Sequence, residues 1–276
     1  HCVIVIVFYN LSLIVYSFSY FFKIEQDLYF MMRFLILIFS TIYLSSCSGG
    51  SGNSDPESPV PIPVPPPSTD TTLFGKTVLV GNVEVNDSYN RNQQYPTWDD
   101  SDGDCISNRH EILMAQHIDD ESSYPLVMRD DGCAVISGKW LDPYDNKYYY
   151  SASDVQIDHV VALYESHISG SGNFTSSEQR LYANTGDKIE GTLPETSHQF
   201  LAVGGSSNQA KGSKDPKSDS DGGWMPDNDD FHCTYLKKWV EVKYLNGIYF
   251  DREEYDFIKD FEADCSNDPL PDLPEN

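Results

Sequence analysis

Two short segments carry the residue types that hydrolytic chemistry needs. In Val155-Gln156-Ile157-Asp158-His159-Val160-Val161-Ala162-Leu163 a carboxylate stands next to an imidazole among strand-forming residues. Side chains alternate across a strand, so Asp158 and His159 point to opposite faces, and at a strand end one can hold a metal while the other faces water. Asp-His dipeptides are common, and alone this one reads as a surface pair or a histidine satisfied in the core. The second segment changes that reading. Phe200-Leu201-Ala202-Val203 is a short apolar strand, Gly204-Gly205 a turn, and Ser206 or Ser207 a natural N-cap for a short helix with Asn208 in its first turn and Lys211 one turn later on the same face. Strand, strand, turn and helix make a ββα unit.

The elements around this unit are mixed. Thr77 to Val85 alternates as a strand does, Arg109 to His117 reads as a short helix, and Asp154 to Leu163 starts as a strand. Tyr235 to Tyr244 has apolar positions that fit either period. No internal repeat is visible, and the expected class is α+β, a single domain over residues 73–265. It contains Cys105, Cys133, Cys233 and Cys265. An even number in an exported chain reads as two disulfides, for which three connectivities exist. Pairing Cys105 with Cys133 and Cys233 with Cys265 is favoured because each closes a modest loop. No CxxC spacing supports zinc.

The ββα unit resembles the His-Me finger of HNH endonucleases. Further segments extend the likeness to exported bacterial HNH nucleases related to the GmrSD C-terminal domain: Ser88-Tyr89-Asn90-Arg91, Trp98 with the acidic stretch to Cys105, Asn108 to Leu113, Gly132 to Tyr144, Arg180 to Asn184, Lys211 to Pro216 and Trp224-Met225-Pro226. The resemblance implies a one-metal phosphodiesterase acting on DNA or RNA. His159 would be the base, and Asp158 with the amide oxygen of Asn208 would bind Mg²⁺ or Mn²⁺. Lys211 would contact phosphate or orient the ligands. Arg180 and Arg109 are candidate phosphate clamps, with a structural ion pair as the equal alternative. Gln199 stands where the family has an Asn that braces the loop carrying the base, and Ala162 replaces its proline.

Lys and Arg number 18 against 43 Asp and Glu, a net charge of −25, which argues against a sequence reader with a basic surface. Lys211, Lys214, Lys217, Lys237, Lys238 and Lys243 could form a cationic strip, but acidic neighbours from Asp215 to Glu241 largely cancel it. Weak, non-specific, metal-dependent substrate binding is therefore expected.

The first 46 residues are apolar and read as targeting. Residues 1–30 read as an upstream extension. Residues 31–46 read as a signal peptide ending at Leu44-Ser45-Ser46-Cys47, which resembles a bacterial lipobox and would make Cys47 the lipidated first residue. The other reading is a membrane helix over Cys2 to Phe22. Both export the remaining chain, which comprises a Gly/Ser/Pro-rich stalk at 47–72, the domain, and an acidic tail at 266–276. The expected location is a bacterial cell envelope, lipid-anchored, or the extracellular space, with the membrane and nucleic acid as partners and no protein partner.

A rival reading starts from Asp100-Ser101-Asp102-Gly103-Asp104 and Glu111, acidic at the first, third, fifth and twelfth places of an EF-hand-like loop. The sixth place, which should be Gly, is Cys105. This points to a structural Ca²⁺ and, more widely, to a non-enzymatic acidic surface lipoprotein with an adhesion or glycan-binding role. That reading leaves Asp158-His159 and Asn208-x-x-Lys211 unexplained.

Overall fold

In the computed structural model, which describes residues 71–85, 87–119, 124–217, 222–266 and 270, the chain runs through β1 (Thr72–Leu73), β2 (Lys76–Thr77), α1 (Arg91–Gln94), α2 (Asn108–Ala115), β3 (Val127–Met128), β4 (Val135–Asp142), β5 (Lys147–Ser151) and β6 (Val155–His159). It continues through α3 (Leu163–Ile168), α4 (Ser176–Thr185), β7 (Phe200–Gly204), α5 (Gly205–Lys211), α6 (His232–Asn246) and α7 (Arg252–Glu262). The expected targeting segments, Cys47 and most of the stalk and acidic tail lie outside the described residues. What is described is a mixed α/β domain.

The site rests on β6 and β7, which pair antiparallel with His159 opposite Phe200 and Val155 opposite Gly204. Alternation gives this ribbon two buried faces. Val155, Ile157, Phe200 and Ala202 pack with Ile112, Leu113 and Trp140. Leu201 and Val203 join a second core around Tyr235, Leu236 and Trp239 of α6. Each fully buried large aliphatic or aromatic side chain contributes about 1.5–3 kcal/mol, so a ribbon too short to stand alone is held from both sides. Beside it β3, β4 and β5 form an antiparallel sheet. Gly204 has to lack a side chain, because a Cβ there would lie 2.1 Å from the Tyr149 hydroxyl of β5.

Both favoured disulfides are present, Cys105–Cys133 and Cys233–Cys265, closing loops of 28 and 32 residues. Closure of loops this long stabilises by about 3–4 kcal/mol each in the chain-entropy account.

Three local expectations change. Thr77 to Val85 is not one strand: Thr77 ends β2, opposite Thr72, beyond it only Val80 makes a bridge, parallel to Phe250, and the backbone turns at Gly81 (φ 144°). Tyr235 to Tyr244 is helical throughout as part of α6, burying Tyr235, Leu236, Trp239, Val240, Lys243 and Asn246 at helical spacing and ending at left-handed Gly247. No turn separates β7 from α5. Gly204 itself is the cap residue and the helix starts at Gly205, so neither Ser206 nor Ser207 is the N-cap.

Candidate active site

β6 delivers Asp158 and His159 to opposite faces, and the two surroundings differ. Asp158 faces α5 and is 4% exposed. Its Oδ1 accepts from Lys211 Nζ at 2.9 Å and its Oδ2 from the Tyr144 hydroxyl at 2.6 Å. Burial raises the Asp158 carboxyl above its ordinary range, against the opposing pull of Lys211 and the Tyr144 hydrogen bond. Lys211 is fully buried and also donates to the His159 carbonyl at 2.8 Å. It therefore orients the Asp-His segment and is closed off from a phosphate.

His159 turns to the other core. Its ring stacks on Trp98 at 5.3 Å between centroids and meets Phe200 edge-on at 5.1 Å. Its Nε2 lies 2.9 Å from the Ala183 carbonyl. A carbonyl can only accept, so the ring proton sits on Nε2 and the Nδ1 lone pair remains unprotonated. Burial pulls the imidazole down to about 3, the Ala183 bond opposing, which keeps it neutral. The loop beyond is held by Gln199, whose Oε1 accepts from Val161 N and whose Nε2 donates to Val161 O, both at 2.9 Å, and to the Tyr182 hydroxyl at 2.8 Å.

The remaining expected residues are placed differently. Asn208 donates its amide to Gln156 Oε1 at 2.8 Å and does not meet Asp158. Arg180 pairs with Asp99 at 2.7 Å while its side chain stays largely exposed. Arg109 spends its guanidinium on the Ala152 and Val155 carbonyls at 2.8 and 2.9 Å, bracing the start of β6. Carboxylate and amide oxygens are donors of the right kind for a hard cation. Their arrangement here does not fit one, since Lys211 and Tyr144 take both Asp158 oxygens and Asn208 is turned to Gln156.

Sequence reasoning included Asp142-Pro143-Tyr144 in the family likeness and gave the turn no role. Asp142, fully buried, accepts from Gly204 N at 2.9 Å, Ser207 Oγ at 2.6 Å and Tyr144 N at 2.8 Å. One turn thus fixes the start of α5 and, through Tyr144, the Asp158 carboxylate. Its signal was a carboxylate-proline-tyrosine run just upstream of the Asp-His pair.

The acidic loop is a separate feature. Asp100, Asp102 and Asp104 offer carboxylate oxygens within 4.8 Å of one another, all exposed. Cys105 adopts φ 77°, the left-handed backbone that an EF-hand-like loop asks of its glycine. The Glu111 carboxyl is pushed up to about 7 by burial and then by Glu195 and the three aspartates, and its Oε2 is buried without a partner.

One pH effect comes from His198, half-buried and drawn down to about 4 by burial and then by Lys238. The unfolded chain takes up a proton at the ordinary histidine value of 6.5, whereas the native state resists until about 4. This group's contribution is complete above 6.5 and drains as pH falls toward 4. Urea midpoints at pH 7 and pH 4.5 should therefore fall further for wild type than for His198→Gln; equal falls would show that His198 does not carry the linkage.

No family model matches the chain, and no solved structure does. An uncharacterized secreted protein of Arthroderma benhamiae is 34% identical over 157 residues, covering 57% of this chain and 66% of that protein. The chain thus spans just under two thirds of that relative. These findings overturn membership of the exported bacterial HNH nucleases related to the GmrSD C-terminal domain: no family model supports it, and the relative described above is a secreted protein of a fungus.

Proposed function

We propose that the protein is an extracellular hydrolase of nucleic-acid phosphodiester bonds, with His159 as the general base. The observation that carries this reading is the geometry of the His159 ring: oriented by two aromatic rings, with its proton held on Nε2 by the Ala183 carbonyl and Nδ1 left as a lone pair. Nδ1 takes a proton from water as the water attacks phosphorus, the bond from phosphorus to the leaving sugar oxygen breaks, and that oxygen takes a proton from solvent. Gln199 holds the loop after the base, and Lys211 and Tyr144 hold Asp158 behind it. Arg180, largely exposed and paired with Asp99 among the described residues, would turn from that carboxylate toward a phosphate oxygen. Mg²⁺ or Mn²⁺ belongs to the reading as the cofactor. When bound it would offset charge on the phosphate and the leaving oxygen, but Asp158 and Asn208 as they stand do not fit it, because Lys211 and Tyr144 occupy the Asp158 oxygens and Asn208 is turned to Gln156. The two disulfides and the secreted relative support an extracellular setting. Among the described residues no helix is long and apolar enough to cross a membrane. Cleavage of plasmid DNA by the purified protein, with and without chelator, tests the reading.

A second reading, favoured by the partnerless Glu111 oxygen beside three aspartates, gives the 100–111 loop a structural Ca²⁺ in a non-enzymatic surface protein. Calorimetric titration should then show Ca²⁺ uptake that Glu111→Gln weakens at least about tenfold, because the twelfth-place carboxylate supplies up to two ligand oxygens. Wild type that takes up no Ca²⁺ removes this reading.

A further inference from the structure

Among the described residues the buried lysines are Lys211, Lys238 and Lys243. Lys211 is neutralised by Asp158 at 2.9 Å, and Lys243 by Glu165 at 2.9 Å and Glu254 at 2.7 Å. Lys238, 6% exposed on α6, has no carboxylate among the described residues. Its polar partner is His198 Nδ1, 3.4 Å from Nζ. Glu241, three residues further along α6, is held by Lys76 at 2.8 Å. An ammonium taken out of water without counter-charge is costly, so an anion that reaches one is strongly stabilising.

His198 adds a donor at the same spot. An ammonium can only donate, so Nδ1 accepts and the ring proton is carried by Nε2, which makes no hydrogen bond to the described residues. Burial draws the lysine down to about 8, and burial and then the Lys238 charge draw the histidine down, with Glu241 opposing. The location matters too. His198 directly precedes Gln199, whose carbonyl accepts from Val160 N, so the pair lies at the same end of the β6–β7 ribbon as His159.

We propose that Lys238 and His198 form a subsite for a tetrahedral oxyanion of the phosphate class, either inorganic phosphate or a phosphodiester group of a nucleic-acid strand. As the seat of a substrate phosphate it rests on the hydrolase reading; as an anion site it stands without it. Lys238 supplies charge and His198 Nε2–H a directed hydrogen bond, and a charge-assisted donor pair of this kind binds an oxyanion more strongly than a neutral acceptor.

The test is thermal unfolding of the full chain at pH 7 in sodium phosphate against sodium chloride of equal ionic strength, with EDTA present so that no hydrolysis intervenes. Wild type should gain about 3 °C in Tm at saturating phosphate. Lys238→Met, which replaces the uncompensated charge by an apolar chain of similar length, should start from a higher Tm in chloride and lose the phosphate gain. His198→Gln should keep the fold and weaken phosphate binding at least about fivefold, which decides the matter if the methionine variant does not fold. Wild type with no gain over chloride, or a gain unchanged in either variant, overturns the proposal. A short oligothymidylate that protects wild type and competes with phosphate identifies the anion as substrate backbone. Protection by inorganic phosphate alone identifies a free anion and leaves the hydrolase reading to its own test.

Discussion

Replacing His159 by alanine should lower phosphodiester hydrolysis by about 10²- to 10⁴-fold, the usual contribution of a positioned general base. The imidazole is neutral, its Nε2 proton is fixed on the Ala183 carbonyl, and Nδ1 is the acceptor that remains. The substitution also removes a ring packed between Trp98 and Phe200, so some stability goes with it. Two readouts separate these effects. Near-ultraviolet circular dichroism and a single cooperative urea transition should show that the variant is folded, and imidazole added to His159→Gly should restore part of the rate, since the missing proton acceptor can come from solution. A folded His159→Ala variant with wild-type turnover would remove His159 from the chemistry.

The largest loss of stability should come from Lys243→Met. Lys243 is fully buried between α3, α6 and α7, bonded to Glu165, to Glu254 and to the Tyr249 carbonyl at 3.0 Å. Glu254 also accepts from the Trp239 indole, and burial pushes its carboxyl up to about 7 even with Lys243 beside it. Removing the one ammonium leaves two buried carboxylates, and breaking such a pair costs about 3–5 kcal/mol. Urea denaturation at pH 7 should show the loss. It should be recovered in large part in the triple variant Lys243→Met, Glu165→Gln, Glu254→Gln, where these three positions carry no charge. A loss under about 1 kcal/mol for the single variant would mean that the network is solvated or protonated and contributes little.

The parts of this architecture that were legible in sequence are those written in local periodicity. Alternation along Val155 to His159 placed Asp158 and His159 on opposite faces, and the structure puts them in different cores. Loop length alone favoured the disulfide pairing that is found. Alternation misled beyond Thr77, from Val78 to Val85, because it reports a half-buried extended segment and says nothing about whether a partner strand exists. Tyr235 to Tyr244 could not be decided because Tyr-Leu-x-x-Trp-Val-x-Val satisfies both periods; α6 is helical because tertiary packing rewards that face. The partners of Asp158 were out of reach for another reason. Tyr144 and Lys211 lie 14 and 53 residues away, and only the fold closes those distances. Spacing put Lys211 beside Asn208 on one helix face, but length of reach decides which meets the carboxylate: the lysine spans the gap and the shorter amide stops at Gln156. The family likeness, drawn from ordered short motifs, failed against comparison with known proteins, whereas export and disulfides remain supported.

The central claim is that this fold hydrolyses nucleic acid with His159 as base. The most direct measurement is the conversion of supercoiled plasmid by the purified wild-type protein and by His159→Ala in parallel, in Mg²⁺, in Mn²⁺ and in EDTA. The expected result is nicking and degradation by wild type in at least one of the two metals, none in EDTA, and a rate at least about a hundredfold lower for the variant. A folded wild-type protein that leaves the plasmid intact in both metals, or equal cleavage by wild type and His159→Ala, would contradict it.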